Sequence, residues 1–173
     1  TILRAQEGYL FPDTYLIPKD ADVNLIVTLM RNNFQSKFET LTSQNQNKLT
    51  KDQIVTVASL VEREAKFAQD RPYVASVIIN RLSLSMPLQI DATIQYAKGK
   101  TNGKWWPQIN GSDIQNIDSL YNTYKYAGLP PTPISNPGLA AIEATLNPKE
   151  TDCFYYLHDR SRQIHCAKTY KQH

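Results

Sequence analysis

The sequence has no apolar run approaching the roughly 20 residues that a membrane-spanning helix needs, and no secretory signal peptide. It does not begin with methionine. Thr1 reads instead as the start of a processed or excised piece, so the missing anchor says little about the intact protein. Net charge is only +3 over 173 residues and is spread along the chain, which gives no argument for nucleic acid. Three catalytic signatures are absent: the phosphate-cradling glycine loop, the Gly-x-Ser-x-Gly elbow and the His-Glu-x-x-His zinc motif. Internal repeats and low-complexity segments are absent too. Cysteine is scarce: Cys153 and Cys166 flank an expected hairpin, and either one disulfide or two unrelated thiols fits that spacing. With His158 and His165 they form a Cys/His cluster, but the spacing matches no structural zinc pattern. Neither a metal nor a cofactor is expected.

What remains is an ordinary globular composition, 41% hydrophobic and 20% charged, and a length that suits a single domain over residues 1–173. "EGYLFPDTYLIPKD" reads as extended and turn-rich. A helix is expected over 23–41, capped by Asp20 or Asp22, with Leu25, Ile26, Leu29, Met30 and Phe34 on one face. After the polar stretch "TSQNQNKLTKDQ", Thr50 and Gln53 stand as a capping box for a helix running to about Phe67. Pro72 suits the first turn of the next helix, which carries Val74, Val77, Ile78 and Leu82. From "MPLQIDATIQYAKG" onward short strands and loops are expected, with "NGKWWPQINGSD" as a surface excursion. "GLPPTPISNPG" is a rigid loop leading, through Asn136 as cap and Pro137 at the first position, into a helix that ends at Leu146. "CFYYLHD" and "QIHCAKTY" alternate as an antiparallel hairpin turning at "RSR". Helices first and strands later predict an α+β fold, with helices packed on a small antiparallel sheet and hairpins.

The stretch "VASLVEREAKFAQDRPYVASVIINRL", residues 57–82, carries three charges in the middle of a helical apolar pattern. Helical residues are about 100° apart, so Val57, Leu60, Val61, Phe67 and Ala68 fall within roughly 60° of Glu64. Glu62 falls about 160° away, as ordinary surface charge. A carboxyl on an apolar stripe is held towards its protonated form, the form that donates to a leaving oxygen in glycoside cleavage. The bland alternative is a glutamate bonded to a buried arginine, for which Arg81 is an obvious partner. "LQIDAT" as a strand would send Gln89 and Asp91 to one face. Tyr121, Asn122 and Tyr124 beside the proline loop offer the aromatic faces and amides of a sugar cleft, and equally of a plain scaffold.

Taken in order, "EGYLFPDTY", "ASLVEREA", "VASVIINRL", "MPLQIDATIQYAKG", "YNTY", "GLPPTPISNPG" and "FYYLHD…IHCAKT" resemble the YceG-like endolytic murein transglycosylases (MltG type) over nearly the whole chain. The "NGKWWPQINGSD" excursion and the two cysteines depart from that family's usual pattern. The resemblance implies a bacterial, single-pass membrane protein acting on the extracytoplasmic face of the cytoplasmic membrane. The anchoring helix and most of a small LysM-like subdomain are expected to lie outside this chain. It also implies cleavage of the MurNAc-β-1,4-GlcNAc bond in nascent peptidoglycan strands, leaving 1,6-anhydroMurNAc ends, with peptidoglycan synthases as partners and strand length as the outcome. The second glutamate of the family's E-x-E motif is Glu64 here, the implied catalytic residue. Gln89, Asp91, Thr93, Tyr121, Asn122 and His165 fall on motif positions and are expected to bind substrate or support the cleft. Two alternatives stay open: a muramidase that uses water with Asp91 as second acid, and a glycan-binding domain without chemistry.

Overall fold

A computed structural model describes residues 4–42, 48–161 and 163–173. In chain order the elements are α1 (Val23–Thr42), α2 (Lys51–Glu64), α3 (Arg71–Ser83), α4 (Asp91–Lys98), α5 (Gly111–Asn116) and α6 (Leu139–Leu146), then β1 (Tyr155–His158) and β2 (Ile164–Ala167). The architecture is α+β, as expected. Part of the polar stretch, 43–47, and Arg162 of the expected hairpin turn lie outside the described residues. No helix among the described residues is long and apolar enough to cross a membrane.

Helix α2 is the axis of the core. Its start follows the sequence signal: Thr50 Oγ1 accepts from the Gln53 amide (3.3 Å) and the Gln53 side chain accepts from the Thr50 amide (2.9 Å). Every residue from Ile54 to Val61 is buried, so the helix is enclosed on all sides rather than striped over that stretch. Its neighbours are α6, α3 and α4, and α1 packs against α6. Asp22 caps α1 through the Leu25 amide (2.8 Å). Only Phe34 and Phe38, stacked with centroids 5.4 Å apart, are buried from that helix, while Leu25 of its expected apolar face stays 41% exposed.

Three local expectations are corrected. Helix α2 stops at Glu64, not near Phe67; Ala65 is extended, and a short 3₁₀ turn at Ala68–Asp70 follows. The chain reverses there to lay α3 against α2, and buried Asp70, 2.9 Å from the His158 ring, fixes the reversal. "LQIDAT" is not a strand: Gln89 has a left-handed φ of 54° and Asp91 opens α4. Side chains and a loop take the backbone bonds a partner strand would have taken. Arg81 binds the Pro87 and Leu88 carbonyls, Thr123 O accepts from the Gln89 amide, and Thr123 Oγ1 accepts from the Ile90 amide. Finally, Gly138 rather than Asn136 precedes α6, whose first residue is Leu139.

Asn136 has another task. Its side-chain oxygen accepts from the amides of Gly8 (2.7 Å) and Leu10 (3.2 Å), clamping the "EGYLFPDTY" segment to the proline loop. A Cβ at Gly8, where φ is +93°, would sit 2.4 Å from Pro133 Cγ, so only glycine fits. Buried Ser59 of α2 holds the other side of the loop, its Oγ accepting from the Ile134 amide at 3.1 Å. The proline loop is therefore a brace between the amino-terminal segment and α2.

The hairpin pairs antiparallel with Tyr156 opposite Cys166. Cys166 is bonded to Cys153, just before β1, with Cα atoms 5.7 Å apart. This takes both sulfurs of the Cys/His cluster. Folded, oxidised protein should therefore gain no mass from a thiol alkylator until a reductant is added. Two adducts without reductant would contradict the bond.

Candidate active site

The end of α2, the start of α4 and strand β1 converge on one cleft of about 650 Å³. Glu64 enters it as the last residue of α2. Tyr156 donates its phenol to Glu64 Oε2 at 2.7 Å, and the Ala92 amide in the first turn of α4 also lies against the carboxyl. Burial pushes the Glu64 carboxyl above its ordinary pKa, and the negative charge of Asp91 pushes the same way. The Tyr156 bond, the Ala92 amide and the Arg63 charge oppose this without cancelling it. Glu64 also stands at the carboxyl end of a helix, where the helix dipole disfavours negative charge. Tyr156, buried against Glu64, has its own pKa raised, first by burial and then by that carboxyl, so it stays a donor.

Asp91 lines the same cleft and accepts from the Tyr124 phenol at 2.5 Å. Its position depends on the "YNTY" loop. Thr123 Oγ1 meets Thr93 Oγ1 at 2.9 Å and binds the Ile90 amide, tying the loop to the first turn of α4. Gln89 lines the cleft beside Asp91. Thr93, Tyr121, Asn122 and His165 are not among the described residues lining it. Thr93 is fully buried and bonds Thr123 and the Ile90 carbonyl. Asn122 is also fully buried; it donates to the Ile114 and Ile117 carbonyls and accepts from the Tyr124 amide. Tyr121 packs on Tyr96 and bonds Thr132. His165 is half-exposed on the hairpin, with its ring 2.8 Å from Asp159. All four shape neighbouring loops instead of meeting the cleft.

One charged residue departs from expectation, and the arginine offered as the alternative partner of Glu64 is engaged elsewhere. Glu62 is not plain surface charge: it accepts from the Gly138 amide at 3.1 Å and lies 3.6 Å from Arg71, anchoring the amino end of α6. Arg81 is not bonded to Glu64. Its guanidinium lies over Tyr155 and binds the Phe154 carbonyl, although it lines the same cleft. Sequence reasoning missed Tyr156 as the partner of Glu64, because a residue 92 positions away carries no local signal for such a contact.

The profile of the YceG-like family matches residues 1–173. The chain belongs to that family. A relative in Bacillus subtilis (strain 168), named endolytic murein transglycosylase, is 42% identical over 170 residues, covering 96% of this chain and 46% of the relative. A relative of the same name in Streptococcus pneumoniae (serotype 2, strain D39 / NCTC 7466) is 36% identical over 172 residues, covering 96% of this chain and 31% of the relative. A crystal structure of a yceG-like protein from Listeria monocytogenes superposes with a TM-score of 0.82 at 35% identity, covering 96% of this chain and 53% of that one. The chain thus spans about half, or less, of the length of these similar proteins.

Proposed function

We propose that residues 1–173 are the catalytic domain of an endolytic peptidoglycan lytic transglycosylase, with Glu64 as its acid and base. One observation carries this reading: a single glutamate, held towards its protonated form, opens on a cleft of about 650 Å³ with one oxygen already bonded to Tyr156. That bond holds the carboxyl in place at Oε2 while it carries the transferable proton. Glu64 protonates the glycosidic oxygen between MurNAc and GlcNAc as the C1–O bond breaks. The resulting carboxylate, steadied by the Tyr156 phenol and the Ala92 amide, then removes the C6 hydroxyl proton as that oxygen closes on C1. A 1,6-anhydroMurNAc end forms, and Glu64 is protonated again. Relatives named endolytic murein transglycosylase support the substrate class.

In the intact protein we place this chemistry outside the cytoplasm, tethered to the membrane by a segment beyond this chain. Strand length is set there beside peptidoglycan synthases. Gln89 and Asp91 act as substrate-contacting residues, and Thr93, Tyr121, Asn122 and His165 as supports of the surrounding loops. Incubating the chain with isolated glycan strands and following strand length tests the reading. Internal cleavage is expected; binding with unchanged length would leave a glycan-binding domain.

A second reading has its own observation. Asp91 shares the cleft with Glu64 and its charge acts on that carboxyl, the arrangement a water-using muramidase needs. The pH profile tests Asp91 and Tyr156 as the neighbours that set the Glu64 carboxyl. A general acid fails as pH rises through its pKa, so a raised pKa extends activity to higher pH. Asp91→Asn removes a negative neighbour, lowers the Glu64 pKa and should move the alkaline limb of kcat to lower pH. Tyr156→Phe removes a donor to the carboxylate and should move that limb to higher pH. Limbs that move together, or not at all, would contradict the assigned neighbours of Glu64.

A further inference from the structure

Arg81 is 8% exposed, yet among the described residues no carboxylate lies within ion-pair distance of it. Its Nε donates to the Phe154 carbonyl (2.7 Å), and its Nη1 to the carbonyls of Pro87 (3.1 Å) and Leu88 (2.8 Å) and, at 3.4 Å, to Gln89 Oε1. All four acceptors are neutral, and Nη2 has no protein acceptor among the described residues. The Tyr155 ring centroid lies 5.0 Å from the guanidinium carbon. A buried cation is costly without an anion. Burial indeed pulls the Arg81 pKa below its ordinary value. Arg81 also lines the Glu64 cleft, so the cleft itself is where an anion would meet it.

We propose that Arg81 is the carboxylate-recognising residue of this cleft, receiving through its free Nη2 edge an acid group carried by the muramyl unit of the strand. This rests on the glycan-cleaving reading above and adds a specificity to it. The three backbone bonds hold the guanidinium still, so an arriving carboxylate meets a fixed Nη2 rather than a flexible charge. Tyr155, Tyr170 and His173 form an aromatic wall beside it, with Tyr155 and His173 stacked at 5.5 Å, against which a sugar face can lie. Two acid groups share this chemistry: the lactyl carboxylate of a muramyl residue without peptide, and a carboxylate of the attached peptide.

The test compares kcat/KM on four strand preparations: peptide-bearing strands and strands stripped of peptide, each with its carboxylates free and with every carboxylate converted to an amide. Wild type should prefer carboxylate-bearing over amidated strands by about tenfold to a hundredfold, the range of one charge-assisted bond. Arg81→Gln should flatten that preference while still cleaving amidated strands, and Arg81→Lys should restore part of it. A preference confined to the stripped pair assigns the lactyl carboxylate, one confined to the peptide-bearing pair assigns the peptide, and one in both pairs shows that either acid group is received. A wild-type ratio near one in both pairs overturns the proposal whether or not Arg81→Gln folds. Equal loss on all strands in Arg81→Gln and Arg81→Lys would show a purely structural arginine and overturn it too. No cleavage of any strand by wild type overturns the functional reading, and this inference with it.

Discussion

Glu64→Gln should lower strand cleavage by about 10²–10⁴-fold, the usual cost of losing a general acid–base. The amide keeps the size of the side chain and can still accept from the Tyr156 phenol, but it has no proton to give. Loss should therefore fall on kcat, with the fold and thermal midpoint nearly unchanged. Glu62→Gln is the matched control two residues away. It keeps an acceptor for the Gly138 amide and loses only a 3.6 Å contact with Arg71, so activity should stay within a few-fold. Equal losses in both would mean that the end of α2, and not the Glu64 proton, had been measured.

Leu60→Ala should cost about 2–5 kcal/mol of stability. Leu60 is wholly buried one turn before Glu64, inside the run that α3 and α6 enclose. Removing it leaves a cavity that the Thr50 cap and the Ser59 bond to the proline loop keep from collapsing. At roughly 2–4 °C per kcal/mol for a domain of this size, the midpoint should fall by about 4–20 °C in a thermal melt. A fall under about 2 °C would show that α2 is not the load axis of the core. Below the midpoint, cleavage per folded molecule should persist, since no cleft group is touched.

Local signals carried much of the fold. The Thr50–Gln53 capping box, the Asp22 cap and the alternation of "CFYYLHD" with "QIHCAKTY" were legible because each is a contact between near neighbours. The face argument picked out Glu64, which does line the cleft, but on a premise the structure changes. Phe67 and Ala68 lie beyond the helix, and Glu64 is exposed to the cleft by the end of α2 rather than by an apolar stripe. Gln89 and Asp91 share the cleft through a left-handed residue and a helix start, not through strand alternation. What could not be read is what the tertiary structure brings together: Tyr156 on Glu64, Tyr124 on Asp91, and the proline loop against Gly8. Tyr121 and Asn122 show the converse. Residue types suited to a sugar cleft are equally suited to tying a loop to its own backbone, and the side chain of Asn122 is spent entirely that way.

Whether Glu64 acts alone is decided most directly by the mass of the new ends formed by wild-type protein in ¹⁸O-labelled water. A single acid–base working through the C6 hydroxyl predicts anhydro ends without label, lighter by one water, about 18 Da, than hydrolysed ends in ordinary water. Labelled reducing ends would contradict it, make water the nucleophile and turn attention to Asp91 as the second acid.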